Sequence, residues 1–274
     1  MTSVPPSVMP ALACDCHMHI YEDGYPVRKD WQAPVPRAPV ADYREVQRAL
    51  GLARTIVVQP NAYGFDNRCT ENALRALGQD ARGIAAIRPD VDDLELARLH
   101  AAGFRGARCY LLAGALLAWD DVPRIAARIA RFGWHVQLQL DGRDLPRLAT
   151  AIEALPVEAV IDHNGKFLEP VPPSHPAFRT LLGLLDSGRC WVKLSAPYET
   201  SRRGPPRFED VGALAAALAA ANPGRCVWAT NWPHPGTASP PREAELRDLF
   251  LEWVPAVADR TRILVDNPAR LYGF

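Results

Sequence analysis

His17 and His19 stand two positions apart in the run Ala13-Cys14-Asp15-Cys16-His17-Met18-His19-Ile20. On an extended strand, residues i and i+2 face the same way, so both imidazoles are expected on one face, with Asp15 beside them. Such a pair can bind a metal, polarise a carbonyl or move protons near neutral pH. Two core histidines satisfied by neighbouring acceptors are the plainer alternative. His163 follows the apolar run Ala159-Val160-Ile161, next to Asp162, and can complete a three-histidine cluster with the first pair. His234, after Trp232-Pro233, reads either as a substrate contact or as a hydrogen-bonded organiser of its loop. His100, His135 and His175 have no partner pattern and read as helix, strand-entry and loop residues.

Other polar residues end short apolar runs in the same manner. Gln59 is followed by Asn61, Tyr63, Asp66 and Asn67, and Arg108 lies near the end of its own run. Gln137 and Gln139 share another, and Lys193 and Ser195 precede Tyr198, Glu199 and Arg202. Asn231 comes just before His234. A buried arginine such as Arg108 is costly unless an anion answers it. Arg202, in the polar stretch Tyr198–Arg203, reads equally well as a second anion contact or as a surface residue. Lys166 and Lys193 are further donors, or partners of a buried acid. Trp31, Tyr63, Tyr110, Tyr198 and Trp232 flank these groups and could wall a flat ring, although packing suffices for Trp232 and is preferred for Tyr110. Asp120-Asp121 reads as the start of a helix, where acids are favoured.

Positioning so many groups requires elements that all end at one place. Candidate strands at 13–20, 54–59, 83–87, 106–110, 134–140, 157–162, 190–195 and 225–230 alternate with helical patterns near 42–50, 69–78, 92–102, 121–131, 144–154, 176–187, 209–221 and 241–251. Eight strands, each followed by a helix, predict an α/β fold of the (β/α)8 TIM-barrel type, with room for distortion. In that fold the polar strand ends converge on one face. A dinucleotide fold is disfavoured, since no GxGxxG follows the first strand and no phosphate loop appears.

At 274 residues and 48% hydrophobic, the chain can fill one large core, and no linker divides it, so residues 1–274 are read as one domain. The Pro-rich stretch from Pro34 to Pro39 reads as a loop over one end of the barrel. Thirty-one basic residues balance 31 acidic ones without a long Lys/Arg block, which argues against nucleic acid as the main partner. No apolar run is long enough to span a bilayer, so no membrane partner is expected. The opening MTSVPPSVMP is too short and proline-rich for an export signal. Six scattered cysteines do not form a disulfide framework, and the expected compartment is a reducing cytoplasm. A homo-oligomer is compatible with the sequence.

The combination Asp15-Cys16-His17-Met18-His19, Asp162-His163-Asn164-Gly165-Lys166 and Asn231-Trp232-Pro233-His234 resembles the amidohydrolase superfamily. More narrowly it resembles the branch with 2-pyrone-4,6-dicarboxylate hydrolase, sugar lactonases and D-galactarolactone isomerase. The resemblance extends to the closing Val265–Tyr272. It implies a lactone-processing enzyme, with several branch members working without a divalent metal. His17, His19 and His163 would then surround the lactone carbonyl, and Arg108 and Arg202 would hold substrate carboxylates. The stretch Lys193–Arg202 is also similar to the isomerase. One departure stands out: typical superfamily hydrolases carry an aspartate where this chain has Asn231. An amide cannot act as a general base at neutral pH and is a poorer cation ligand. The isomerase shares Asn-Trp-Pro-His but lacks the first histidine of the pair.

The resulting expectation is a hydrolase opening the cyclic ester of a small anionic, carboxylated or polyhydroxylated lactone, with an intramolecular lactone isomerase as the alternative. A metal-dependent amidohydrolase and a non-catalytic binder of organic acids are the lesser readings. His17, His19, His163, Asp162 and Asn231 are the expected catalytic set, with His163 or Asp162 as base. Arg108, Arg202, Tyr198, Lys166, Asn61, Tyr63, Gln137, Ser195 and His234 are the expected substrate contacts. No cofactor is expected; if a divalent metal such as zinc is used, His17, His19 and His163 would hold it.

Overall fold

The computed structural model describes residues 9–274. The first eight residues, most of the segment read as lacking an export signal, lie outside that range. Eight strands form one sheet in sequential order, each parallel to the next: β1 (Cys14–Met18), β2 (Arg54–Val58), β3 (Ala81–Ala85), β4 (Phe104–Tyr110), β5 (His135–Gln139), β6 (Ala159–Ile161), β7 (Cys190–Leu194) and β8 (Cys226–Trp228). The helices that follow them are α1 (Val40–Leu50), α2 (Arg68–Leu77), α3 (Asp93–Ala101), α4 (Asp121–Ile129), α5 (Leu145–Glu153), α6 (Pro176–Asp186), α7 (Glu209–Ala221) and α8 (Glu243–Trp253). Two short helices, α9 (Val257–Thr261) and α10 (Asn267–Tyr272), end the chain. The seam between β1 and β8 is bridged just beyond β8, where Asn231 N–H donates to His17 C=O at 2.9 Å and His19 N–H to Trp232 C=O at 2.8 Å. The result is a nearly closed, distorted TIM barrel, as the alternation of elements led us to expect.

Two apolar clusters hold it. The larger lies between strands and helices, with residues such as Val57, Leu96, Ile125, Val136 and Phe178 wholly buried. The smaller fills the barrel interior: Cys14, Cys16, Ile56, Val58, Ile84, Val160, Trp191, Val227 and Ala229 pack against Leu271 and Tyr272. Arg54 and Arg82, at the starts of β2 and β3, lay their guanidinium groups over the Phe274 ring, so the C-terminal segment plugs the lower mouth. All six cysteines are free and buried, behaving as small apolar residues. No helix among the described residues is long and apolar enough to cross a membrane.

Two local departures from the sequence expectation have clear causes. β3 begins two residues before the expected 83, because Gly83 lies within the strand instead of marking its start. A Cβ there would come 2.7 Å from both Leu74 and Phe104 side chains, so this glycine permits close packing of α2 and β4. In β1 the register with β2 shifts between Asp15 and Met18, a bulge that interrupts strict alternation. Cys16 belongs to the interior cluster, whereas Asp15 turns outward to Tyr43 of α1 and Thr55. The expectation that Asp15 shares the histidine face is therefore corrected, while His17 and His19 do face one another.

Candidate active site

The polar strand ends meet above the apolar interior plug. Asp15 lies outside this group and pins the seam. Its carboxylate accepts from Thr230 N–H (3.0 Å), Thr230 Oγ1 (2.6 Å), Tyr43 OH (3.0 Å) and His17 N–H (3.2 Å). One acid thus fixes where β1 delivers its histidines relative to the end of β8.

Inside the barrel, Lys193 is wholly buried and donates to Gln137 Oε1 at 2.6 Å and to His17 Nδ1 at 3.2 Å. A charged ammonium only donates, so Nδ1 of His17 accepts and its proton sits on Nε2. That nitrogen is 3.2 Å from His19 Nε2, and His19 Nδ1 in turn donates to Val58 C=O at 2.7 Å. The chain Lys193–His17–His19–Val58 therefore assigns both tautomers. Burial lowers His17 well below the ordinary histidine value, with Lys193 adding to the effect, and brings His19 down to about 3. Burial likewise holds His163 low, against the pull of Asp162. All three imidazoles are neutral at pH 7 and act as directed hydrogen-bonding groups.

Asp162 lies beneath them with no exposure. Its Oδ2 accepts from Gln137 Nε2 at 3.1 Å, while Oδ1 is 3.4 Å from His17 Nδ1 and 3.6 Å from Lys193 Nζ, with no hydrogen bond of its own. His17, Asp162 and His163 bring possible ligand atoms within 4.8 Å of one another, a spacing that could hold a metal. The set differs from the expected three histidines, because His19 turns its free nitrogen toward His17. The Lys193 ammonium already reaches two of the three candidate ligands, so a divalent ion would have to displace that amine or bear its repulsion.

Above this layer opens a cavity of about 670 Å³. His19, His163, Arg108, Lys166, Asn61, Tyr198 and Asn231 line it, together with Tyr21, Gln139 and Glu199. Arg108 is buried; its guanidinium donates to Gln59 C=O (2.8 Å) and Gln139 Oε1 (2.5 Å), while Nε has no partner. Neither acceptor carries charge, so the cation is left to an incoming anion. Lys166 pairs with Glu199, and burial brings its amine down to about 8, with Asp162 opposing and Arg108 adding. Glu199 Oε1 also accepts from Asn231 Nδ2 at 2.8 Å. The same amide donates to Tyr198 OH (2.9 Å), which hydrogen-bonds to His234 Nδ1 (2.7 Å), and His234 Nε2 faces Glu243 at 3.2 Å.

Several expected contacts take supporting positions. His234 is off the cavity wall and anchors Tyr198 to α8. Ser195 Oγ holds His163 Nδ1 at 2.9 Å. Gln137 joins Lys193 to Asp162 below the wall. Tyr63 OH donates to Glu22 C=O and stays outside the cavity. Arg202 does not reach the cavity: its side chain is 66% exposed and pairs with Glu169. Trp232 packs on Tyr43, 5.4 Å between ring centroids, whereas Tyr110 lines the cavity despite the packing reading preferred for it. His175 caps α6 by accepting from Ala177 N–H, in keeping with a loop role. The Pro-rich loop does cover the upper mouth, where Trp31, Ala33, Pro34 and Val35 form part of the wall.

Left-handed backbone aims the functional side chains. His163 (φ 50°), Asn164 (56°), Gly165 (92°) and Lys166 (47°) follow one another after β6, Ala196 (47°) follows β7, and Asn231 (60°) follows β8. Conformations of this kind cost about 1–3 kcal/mol each for residues other than glycine, and they persist where surrounding structure enforces them. Here Asn164 Nδ2 donates to Ser195 C=O at 2.7 Å, tying the β6 corner to β7. Glu199 was legible only as one polar residue among several in its stretch, since nothing in the spacing shows that it meets Asn231 and Lys166. Lys193 had a clearer signal, a charged residue inside an apolar strand.

A protein-family model described as "Amidohydrolase" matches residues 14–274. D-galactarolactone isomerase of Agrobacterium fabrum is 34% identical over 98% of this chain and 94% of its own. The 2-pyrone-4,6-dicarboxylate hydrolase of Comamonas testosteroni is 32% identical over 98% and 93%. A 4-sulfomuconolactone hydrolase of Hydrogenophaga intermedia is 31% identical over 97% and 90%. An apo crystal structure from Agrobacterium tumefaciens superposes with a TM-score of 0.91 at 34% identity, covering 97% of both chains. With these relatives, and with its histidine pair and polar strand ends around one cavity, the chain belongs to the amidohydrolase superfamily, in the branch of pyrone-dicarboxylate hydrolases and sugar-lactone enzymes.

Proposed function

We propose that the protein opens the ring of a lactone bearing one carboxylate and several hydroxyls, by metal-free hydrolysis. Arg108 carries this reading: a buried guanidinium on the cavity wall, hydrogen-bonded only to neutral oxygens, calls for an anionic substituent. With Arg202 outside the cavity and Lys166 already paired with Glu199, one anionic group is the better match than two. Asn61, Tyr198 and Asn231 on the wall are suited to ring hydroxyls. His19, His163 and Lys166 surround the space where a lactone carbonyl would lie, and Lys166 is the charged donor that strengthens most as an oxyanion forms. Lys193 supplies His17 with the positive partner that a metal would otherwise provide, which supports chemistry without one.

Asn231 favours a second reading. Where a carboxylate would activate water in related hydrolases, an amide stands, and a substrate hydroxyl held in the cavity needs less activation than water because it arrives already positioned. The outcome would be transfer of the acyl group to another ring oxygen, giving an isomeric lactone. An NMR time course in heavy-oxygen water, with metal-stripped protein and a panel of aldaro- and pyrone-carboxylate lactones, separates the two. Labelled open-chain acid is expected for hydrolysis, and an unlabelled second lactone marks the isomerase. Absence of turnover across the panel refutes the lactone assignment, and activity that appears only on adding zinc refutes the metal-free one.

A further inference from the structure

We propose that Glu199 is the proton acceptor and return donor of this reaction, replacing from the β7 side the carboxylate that β8 lacks. The assignment rests on the lactone reading above. Among the described residues that line the cavity, Glu199 is the only carboxylic acid. Asp162 has no exposure and is not among the residues that line the cavity. His163 engages Ser195 through Nδ1 and keeps Nε2 toward the cavity, but burial disfavours its protonated form, and His19 turns Nε2 to His17. The carboxylate of Glu199 is fixed at both oxygens, Oε1 by Asn231 Nδ2 at 2.8 Å and Oε2 by the Lys166 ammonium. Asn231 thus presents a carboxylate at the end of β8 without being one. Each carboxylate oxygen has a second lone pair, so a nucleophile can approach without breaking either contact.

The step balances without any added reagent. The O–H bond of water or of a substrate hydroxyl breaks, its proton passes to the Glu199 carboxylate, and the freed electron pair forms the bond to the lactone carbonyl carbon. The carbonyl electrons move onto oxygen, beside Lys166. On collapse the ring C–O bond breaks, and the departing ring oxygen takes the proton back from Glu199. Water yields the hydroxy acid, and a substrate hydroxyl yields the isomeric lactone.

The test uses full-length protein and whichever lactone of the panel turns over, comparing wild type, E199Q and the double variant E199Q/N231D. E199Q is expected to lose on the order of a hundred- to ten-thousand-fold in kcat with little change in KM. The double variant, which puts a carboxylate back from β8, is expected to recover at least roughly ten-fold of that loss, as a base role requires. A purely structural role in pairing Lys166 would not be rescued from the other side. If E199Q does not melt cooperatively, E199D decides: it keeps the charge but withdraws the oxygens, and should lose about ten-fold or more in kcat. An E199Q or E199D enzyme with near wild-type kcat, or an E199Q defect that N231D leaves untouched, overturns the assignment while sparing the lactone reading. A wild type inert toward every lactone overturns both.

Discussion

Arg108 and Arg202 have the same side chain and opposite surroundings, and that contrast decides what each can do. Arg108 has lost its water and hydrogen-bonds only to neutral acceptors, with Asp162 near enough to favour its charge but not paired with it, so the guanidinium can still pair directly with a substrate anion. Replacing it with Met should cost on the order of 3 kcal/mol, about a hundred-fold in kcat/KM, for a carboxylated lactone. R202A should stay within about two-fold, since an exposed ion pair contributes little. Steady-state kinetics of the two variants side by side would reverse this assignment if R202A were the more damaging. The histidines make a second prediction at this scale. Burial keeps them neutral well below the ordinary histidine value, so kcat/KM should be flat between about pH 6 and 7. Lys166, brought down to about 8, loses its charge as pH rises through that value, and activity should decline there after subtraction of spontaneous ring opening. An acid limb near pH 6.5 in the measured profile would contradict neutral histidines.

Short elements with abrupt ends do the aiming. β6 and β8 have three residues each, and the chain leaves both by way of left-handed backbone that turns His163, Lys166 and Asn231 to their partners. Gly165 is the tightest point: at φ 92° a Cβ would come 2.6 Å from Phe167 and 2.7 Å from Leu181. G165A should therefore destabilise the fold by about 2 kcal/mol or more and displace Lys166, seen as a lower melting temperature with reduced kcat. The bulge in β1 has the complementary task of turning His17 inward while Asp15 stays outward to bind Thr230 and Tyr43. Asp15→Ala removes four accepted hydrogen bonds at the barrel seam and should cost roughly 2–4 kcal/mol in denaturant unfolding. A near wild-type midpoint for that variant would show that the β1–β8 seam holds without it.

For the whole molecule, the polar interior should appear in how stability depends on pH. His17, His19, His135 and His163 are buried with depressed values, His19 and His135 at about 3, whereas in the unfolded chain each would titrate near 6.5. Below that unfolded value the unfolded state binds more protons, so ΔG of unfolding falls as pH drops from about 6.5 toward 3. Urea titrations at about pH 7.5 and 5 should show a clearly lower midpoint at the acid end, before ordinary carboxylates are protonated. Equal midpoints would mean that these histidines are hydrated in the native state.

The sequence by itself determined the barrel and much of the cavity wall. Eight apolar runs alternating with amphipathic stretches have one economical closure, and a charged or imidazole side chain ending such a run has nowhere to point except the common mouth. That logic led to His19, His163, Arg108, Lys166 and Asn231 on the wall and to His17 beneath it because the information is local, held in a strand and the few residues that follow it. Tertiary structure decided the rest. Whether Asp15 faced the histidines depended on one extra residue in β1, which periodicity alone does not reveal. Whether Arg202 met a substrate or Glu169 depended on the path of a loop outside any regular element. The partnership of Glu199 with Asn231 and Lys166 joins residues from three strand ends far apart in sequence, and the distance between such groups is set only when the sheet curls into a barrel.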